Sequence, residues 1–188
     1  MMTSEVYLSL GSNLGKREAH LTRALEKLQE ARTTLIQISS LYETEPVDLP
    51  DQPDFLNLIC QVTTDLAPLQ LLGTCQQIES DMLRLRERIK GPRNIDIDII
   101  LYAHQIVDLP GLTIPHPHWS RRNFVLIPLQ EIAPNLRDPV TGKSLQELLR
   151  LCPDPAQVTL VTTGQLLHLT SSPDSTGRDM RESAEKFK

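Results

Sequence analysis

Asp96 and Asp98 stand two positions apart in the stretch Gly91-Pro92-Arg93-Asn94-Ile95-Asp96-Ile97-Asp98-Ile99-Ile100-Leu101. A Gly-Pro corner leads into a strand pattern, and strand side chains alternate between faces. Both carboxylates therefore share one face while Ile95, Ile97 and Ile99 share the other. Asp is depleted in strands and neighbouring carboxylates repel, so the pair is best explained by a cation beside it, and carboxylate oxygens on a rigid strand suit Mg²⁺. Immediately upstream, Arg84, Arg86, Arg88, Lys90 and Arg93 form a cationic run suited to phosphates, which Arg grips bidentately. Acid for metal beside base for phosphate describes a metal-polyphosphate site. An amphipathic edge strand facing water after a solvated basic helix end is the plainer alternative.

The surrounding chain supplies elements to hold such a site. Val6 to Leu10 alternates like a half-buried strand, Gly11-Ser12-Asn13-Leu14-Gly15 breaks it, and Leu21, Ala24, Leu25 and Leu28 recur at helical spacing over residues 16–31. Gly11 to Arg17 has three residues between its glycines and Arg17 after Lys16, so it is not a P-loop; it reads as a strand-to-helix turn needing glycine for positive φ. Thr34 to Leu41 is a second strand that continues through Tyr42-Glu43-Thr44-Glu45-Pro46. A proline-punctuated loop follows, and then a third strand from Phe55 to Thr64 with Phe55 and Asn57 on one face. Pro68 opens a second helix running to about Leu85, on which Gln76 and Glu79 are surface neighbours three apart. After the Asp strand come a short return strand, the pair His116 and His118 between prolines, a helix at 123–132, a Ser144-capped helix and a last strand from Val158. The histidines lack a third metal ligand nearby, so phosphate contact is their better functional reading, with an exposed loop pair of no role as the equal alternative.

The order β-α-β-β-α-β is the split βαβ pattern. It predicts an α+β, ferredoxin-like two-layer sandwich: a mainly antiparallel sheet packed by helices. One domain is expected over residues 1–164, and a polar, aperiodic tail at 165–188 is expected to be disordered. A net charge of -5 argues against broad nucleic-acid or membrane-surface binding. Without an apolar span or leader pattern, a cytoplasmic protein is expected. Cys60, Cys75 and Cys152 are odd in number and lack metal-ligand spacing, so they read as small apolar residues.

Several motifs in collinear order carry a resemblance: Leu10-Gly11-Ser12-Asn13-Leu14-Gly15, Tyr42-Glu43-Thr44-Glu45-Pro46, Asp51-Gln52-Pro53-Asp54-Phe55-Leu56-Asn57, Arg84-Leu85-Arg86, Gly91 to Asp98, and Pro115-His116 through Arg122-Asn123-Phe124-Val125-Leu126. Together they resemble the 6-hydroxymethyl-7,8-dihydropterin pyrophosphokinases of folate biosynthesis. The resemblance implies transfer of diphosphate from ATP to the pterin hydroxymethyl group, leaving AMP, with two Mg²⁺ ions. It implies that Asp96 and Asp98 hold the metals, and that Arg84 and Arg93 join them in catalysis. Gln76, Glu79, Arg84, Arg86, Arg93, His116 and Arg122 would meet ATP. Thr44, Phe55, Asn57, Asp96 and Phe124 would meet the pterin, with the two phenylalanines sandwiching its ring. Small-molecule substrates and a monomer are expected, with no nucleic acid or membrane partner.

This chain departs from the family pattern at Lys90, where Trp is common, at Asn94 for Thr, at Asp48 for Gly, and at Pro117. Trp119 is then the candidate stand-in for a missing aromatic lid. Two competing readings are a metal-dependent nucleotidyltransferase using the same Asp pair, and a ferredoxin-like RNA-binding module. Three Phe, three Tyr and one Trp leave the latter few stacking platforms.

Overall fold

The central strands each carry one face of large aliphatic side chains and one of mixed residues, and this division decides what packs where. The computed structural model of the protein describes residues 3–46, 52–82 and 92–162. In chain order it has β1 (Ser4–Ser12), α1 (Arg17–Glu30), β2 (Thr33–Ile38), β3 (Leu41–Thr44), β4 (Phe55–Thr64), α2 (Pro68–Asp81) and β5 (Asp96–Tyr102). The hairpin of β6 (Val107–Leu109) and β7 (Leu112–Ile114) follows, then a 3₁₀ turn at Trp119–Arg121, α3 (Asn123–Ile132), α4 (Leu145–Leu151) and β8 (Val158–Thr162).

The main sheet runs β5-β1-β4-β3-β8, and β2 pairs with the far half of β4. Every pairing is antiparallel. β2 and β3 act as one strand interrupted at buried Ser39 and Ser40, where Ser39 Oγ accepts from the Ile59 amide at 2.9 Å. Counted so, β1-α1-β2/β3-β4-α2-β5 is the expected ferredoxin-like double split βαβ.

On one face, Val6, Leu8 and Leu10 of β1, Leu58 and Cys60 of β4 and Ile97 and Ile99 of β5 pack against Leu21, Leu25 and Leu28 of α1 and Leu71, Cys75 and Ile78 of α2. Fully burying such an aliphatic side chain contributes about 1.5–3 kcal/mol. α3 and α4 add a layer on the opposite face, where Val125, Leu126, Leu129, Leu145 and Leu148 cover Tyr7, Ile59 and Ile100. This layer stops short of the sheet end where β1 finishes and β4 and β5 begin. Ser9, Gly11, Phe55, Asn57, Asp96 and Asp98, which continue the same face by strand alternation, are left to line a cleft.

The sequence expectations that fall at 83–91, including Arg84, Arg86 and Lys90, lie outside the described residues, as do Asp48 and the segment 163–188. Trp119 is a correction. Only 3% exposed, it packs among the side chains of α3 and α4, so it cannot form a lid.

Candidate active site

Register sets the candidate side chains in rows across the sheet. Asn57 of β4 opposes Gly11 of β1, and Gly11 opposes Asp96 of β5. One step along, Ile59 opposes Ser9, which opposes Asp98. Strands lie about 4.8 Å apart, so Asn57 and Asp96 flank a trough roughly 10 Å wide whose floor is a residue without a side chain. A Cβ on Gly11 would lie 2.6 Å from Asn57 Oδ1 and 3.6 Å from Phe55 Cδ1. Close approach, not positive φ, is therefore what Gly11 provides; in this turn the positive φ, +59°, belongs to Gly15. The space above the trough, counted together with the solvent it opens to, is about 590 Å³.

One wall is aromatic and neutral. Phe55 begins β4 and Phe124 lies in the first turn of α3, and both line the cleft. Beneath them Asn57 Nδ2 donates to Thr44 Oγ1 at 2.6 Å, and both residues are buried. The hydrogen bond fixes the amide and so decides what it offers a ligand edge. Each ring also carries a guanidinium on one face: Arg93 lies 5.2 Å from the Phe55 centroid and Arg122 5.5 Å from that of Phe124. These cations join the aromatic wall to the charged one.

The charged wall is built from β5 and the corner before it. Arg93 Nη2 meets Asp96 Oδ2 at 2.7 Å, while Arg93 Nε is buried without a hydrogen-bond partner. Burial, and then repulsion from Asp96, push the Asp98 carboxyl up to about 7 despite the nearby Arg93 and Arg122 cations. Between the two carboxylates, the backbone amide of Ile97 donates to Glu79 Oε1 at 2.8 Å. Glu79 is 5% exposed and thus buried behind the strand, whereas Gln76 is exposed on α2; they are not the surface pair that the spacing predicts.

His116 is tied to β5 by its own amide, which donates to the Ile100 carbonyl at 3.0 Å. Burial, and then the Arg122 cation, lower its pKa to about 4, so its ring is neutral at pH 7. The His118 amide donates to His116 Nδ1 at 3.3 Å, which leaves Nε2 to carry the ring proton and act as a donor. A second hollow, about 700 Å³ and open to solvent, follows the outer edge of β5 between His116, Leu112, Leu72 and Asp98. Asp98 thus borders both spaces.

Thr44, Phe55, Asn57, Arg93, Asp96, Asp98, Arg122 and Phe124 are brought together in one cleft, with His116 in the adjoining hollow. Arg84 and Arg86 lie outside the described residues. Two supports were not singled out by spacing. Asn13 Oδ1 accepts from the Arg93 amide at 2.8 Å, and its Nδ2 donates to Gln52 Oε1 at 3.2 Å and to the Pro53 carbonyl at 3.1 Å. One amide therefore joins the Gly-Pro-Arg corner to the loop entering β4. Asn13 and Gln52 appear in the sequence motifs, but bonds spanning 39 and 80 residues leave no local periodic signal. Among the described residues no three His, Cys, Asp or Glu side chains cluster as a metal site, and no helix is long and apolar enough to cross a membrane.

Residues 7–134 match the model of the family described as 7,8-dihydro-6-hydroxymethylpterin-pyrophosphokinase. The chain is 43% identical over 153 residues to the 2-amino-4-hydroxy-6-hydroxymethyldihydropteridine pyrophosphokinase of Pseudomonas aeruginosa, covering 81% of this chain and 94% of that one. The Bacillus subtilis protein of the same name is 42% identical over 142 residues, 75% of this chain and 85% of its own. Folic acid synthesis protein fol1 of Schizosaccharomyces pombe is 43% identical over 148 residues, covering 78% of this chain and only 20% of that longer protein. In fold, the chain is similar to the crystal structure of Plasmodium falciparum HPPK-DHPS with pterin and p-hydroxybenzoate, with a TM-score of 0.63 at 18% identity. That match covers 79% of this chain and 43% of the longer one.

Proposed function

The chain belongs to the 7,8-dihydro-6-hydroxymethylpterin-pyrophosphokinase family, and from that premise we propose how its residues divide the reaction. The protein is a diphosphokinase of folate biosynthesis that transfers diphosphate from ATP to the hydroxymethyl group of 6-hydroxymethyl-7,8-dihydropterin, with AMP as the second product. The observation that carries the assignment of residues is the shared cleft: an aromatic wall with a fixed amide faces a charged wall of paired carboxylates and arginines.

The pterin lies between Phe55 and Phe124, where flat faces stack, and its polar edge meets Asn57 and Thr44. Its hydroxymethyl group then points along the trough toward Asp96. The ATP phosphates lie beside β5, held by Arg93, Arg122 and the Nε2–H of His116, and the unpartnered Arg93 Nε is a donor available to a phosphate oxygen. The nucleoside extends into the hollow along the β5 edge, whose Leu72 and Leu112 suit a flat base. Arg84 and Arg86 join the phosphate contacts, and Gln76 and Glu79 serve the ATP side, Glu79 through its hold on Ile97.

The donor set fits magnesium. Two carboxylates share one face of a strand, and Asp98 resists ionisation there without added positive charge. With no third acidic or imidazole ligand among the described residues, phosphate and water oxygens would complete the coordination, as Mg²⁺ commonly requires. Asp96 and Asp98 would hold two ions, which when bound supply charge neutralisation at the phosphates. Arg93, whose Nη2 meets Asp96 Oδ2 at 2.7 Å, would share that carboxylate with the metal and face the anion. The chain's own contribution is alignment: the cleft holds the hydroxyl in line with the β-phosphorus and excludes water, with no covalent enzyme intermediate. Residues 1–164 form the working domain, acting as a cytoplasmic monomer.

Incubating the protein with ATP, Mg²⁺ and the reduced pterin should give AMP and diphosphorylated pterin in equal amounts. Release of inorganic pyrophosphate, with the nucleotidyl group on the acceptor, would instead mark a nucleotidyltransferase.

A further inference from the structure

We propose that Asp154, in the connection between α4 and β8, is a positioning residue that sets the distance between Phe124 and the Asn57–Thr44 pair on the pterin side. This segment lies beyond the 7–134 stretch matched by the family. α3 begins at Asn123, flanked by Arg122 and Phe124, which both line the cleft. Its own N-cap residue, Arg122, makes no side-chain capping bond. Asp154 supplies it from elsewhere in the chain. Its Oδ2 accepts from the Asn123 amide at 2.8 Å, and its carbonyl accepts from Asn123 Nδ2 at 2.8 Å. Its second carboxylate oxygen accepts from the Ala156 amide at 3.0 Å, so the carboxylate is itself held in place.

Four residues later Val158 pairs with Thr44 in β3, the residue whose hydroxyl fixes Asn57. The stretch 154–158 therefore fastens one end to the start of α3, which carries Phe124, and the other to Thr44 beneath the aromatic rings. Four extended residues reach at most about 14 Å, which makes the stretch a short tether, not a slack linker. A carboxylate at a helix start also opposes the helix dipole favourably, so the cap and the tether act at the same point. Losing it should let the first turn of α3 fray and let Phe124 and Arg122 drift, while Asp96, Asp98 and β5 stay where they are.

The inference rests on the assignment of Phe124 to pterin contact, so Phe124→Ala is measured alongside. With saturating ATP and Mg²⁺, Asp154→Ala should raise the KM for the pterin about tenfold with a smaller fall in kcat, the part that reflects Arg122. Asp154→Asn, which keeps an acceptor for the Asn123 amide, should recover most of the affinity. Ser144→Ala removes the comparable side-chain cap of α4, away from the cleft, and should leave the pterin KM unchanged. An equal rise in Ser144→Ala would reduce Asp154 to general stability and overturn the proposal, as would an unchanged KM in folded Asp154→Ala. If Asp154→Ala does not fold, Asn123→Ala removes one bond of the pair, and an unchanged pterin KM there overturns the proposal equally. A Phe124→Ala enzyme with normal pterin KM would sink the site assignment itself, an outcome separable from failure at Asp154.

Discussion

Asn57 Nδ2 donates to Thr44 Oγ1 at 2.6 Å beneath the aromatic wall, and the two rings that rise from there already bear guanidiniums on one face. Across Gly11, Asp98 is pushed to about 7 by burial and by Asp96, while Arg93 is committed to Asp96 yet keeps a buried Nε without a partner. The neutral half is fixed in shape before a ligand arrives, and the charged half keeps a carboxylate repulsion that added positive charge relieves. Packing and neutral hydrogen bonds can be finished by folding. Neighbouring carboxylates cannot, and the fold retains them against their mutual repulsion.

Removing Asp98 tests this contrast most severely. Asp98→Asn should lower turnover by about a thousandfold or more, because a group that organises charge at the reacting phosphates is gone. Yet the same change should raise the melting temperature of the metal-free protein at pH 8, where the native carboxylate is ionised at a cost. A folded variant with near-normal turnover would contradict the assignment. Arg93→Lys should lower kcat/KM by about a hundredfold, since the charge survives but the planar fork does not, with a smaller change in pterin KM. Gly11→Ala strikes the other half. Its Cβ displaces the Asn57 carbonyl, so pterin KM should rise about tenfold with a stability loss of about 1–3 kcal/mol, measurable by titration and denaturant melts.

The smallest effect is in pH. His116 has a folded pKa of about 4 against 6.5 unfolded, so its contribution to stability is present above 6.5 and lost as pH falls through 4. Asp98 runs oppositely: raised from 3.8 to about 7, it favours the metal-free fold at low pH and loses that contribution as pH rises toward 7. Between pH 4 and 6.5 the two slopes oppose each other. In His116→Gln, the melting temperature of metal-free protein should therefore decline with rising pH more steeply than in the parent. A slope equal to the parent's would show that His116 stays protonated in the fold.

What the sequence made legible was whatever depends on a period of two or on local chemistry. Asp96 with Asp98, and Phe55 with Asn57, share faces because strand geometry leaves no alternative. The Ser144 cap with Glu147 three residues on is likewise readable, since both partners are local. The layer formed by α3 and α4 was not legible, because helical periodicity marks an apolar stripe without saying which face of which sheet it covers. Asn13 and Asp154 escaped for the same reason: their partners are distant in sequence. The turn pattern predicts positive φ at Gly11, whereas the crowding that requires glycine there comes from a neighbouring strand.

β1, which carries Gly11 and Ser9, is paired along both sides, to β4 and to β5. To expose its amides, one of two ladders at the centre of the sheet must come apart. Its clock should therefore be that of whole-molecule unfolding, with Leu8 and Leu10 among the last amides to exchange with deuterated water. β8, whose strand partner among the described residues is β3 at the sheet margin, should exchange far sooner. The cleft thus has a floor that persists over the lifetime of the folded chain and a back strap that is renewed many times within it.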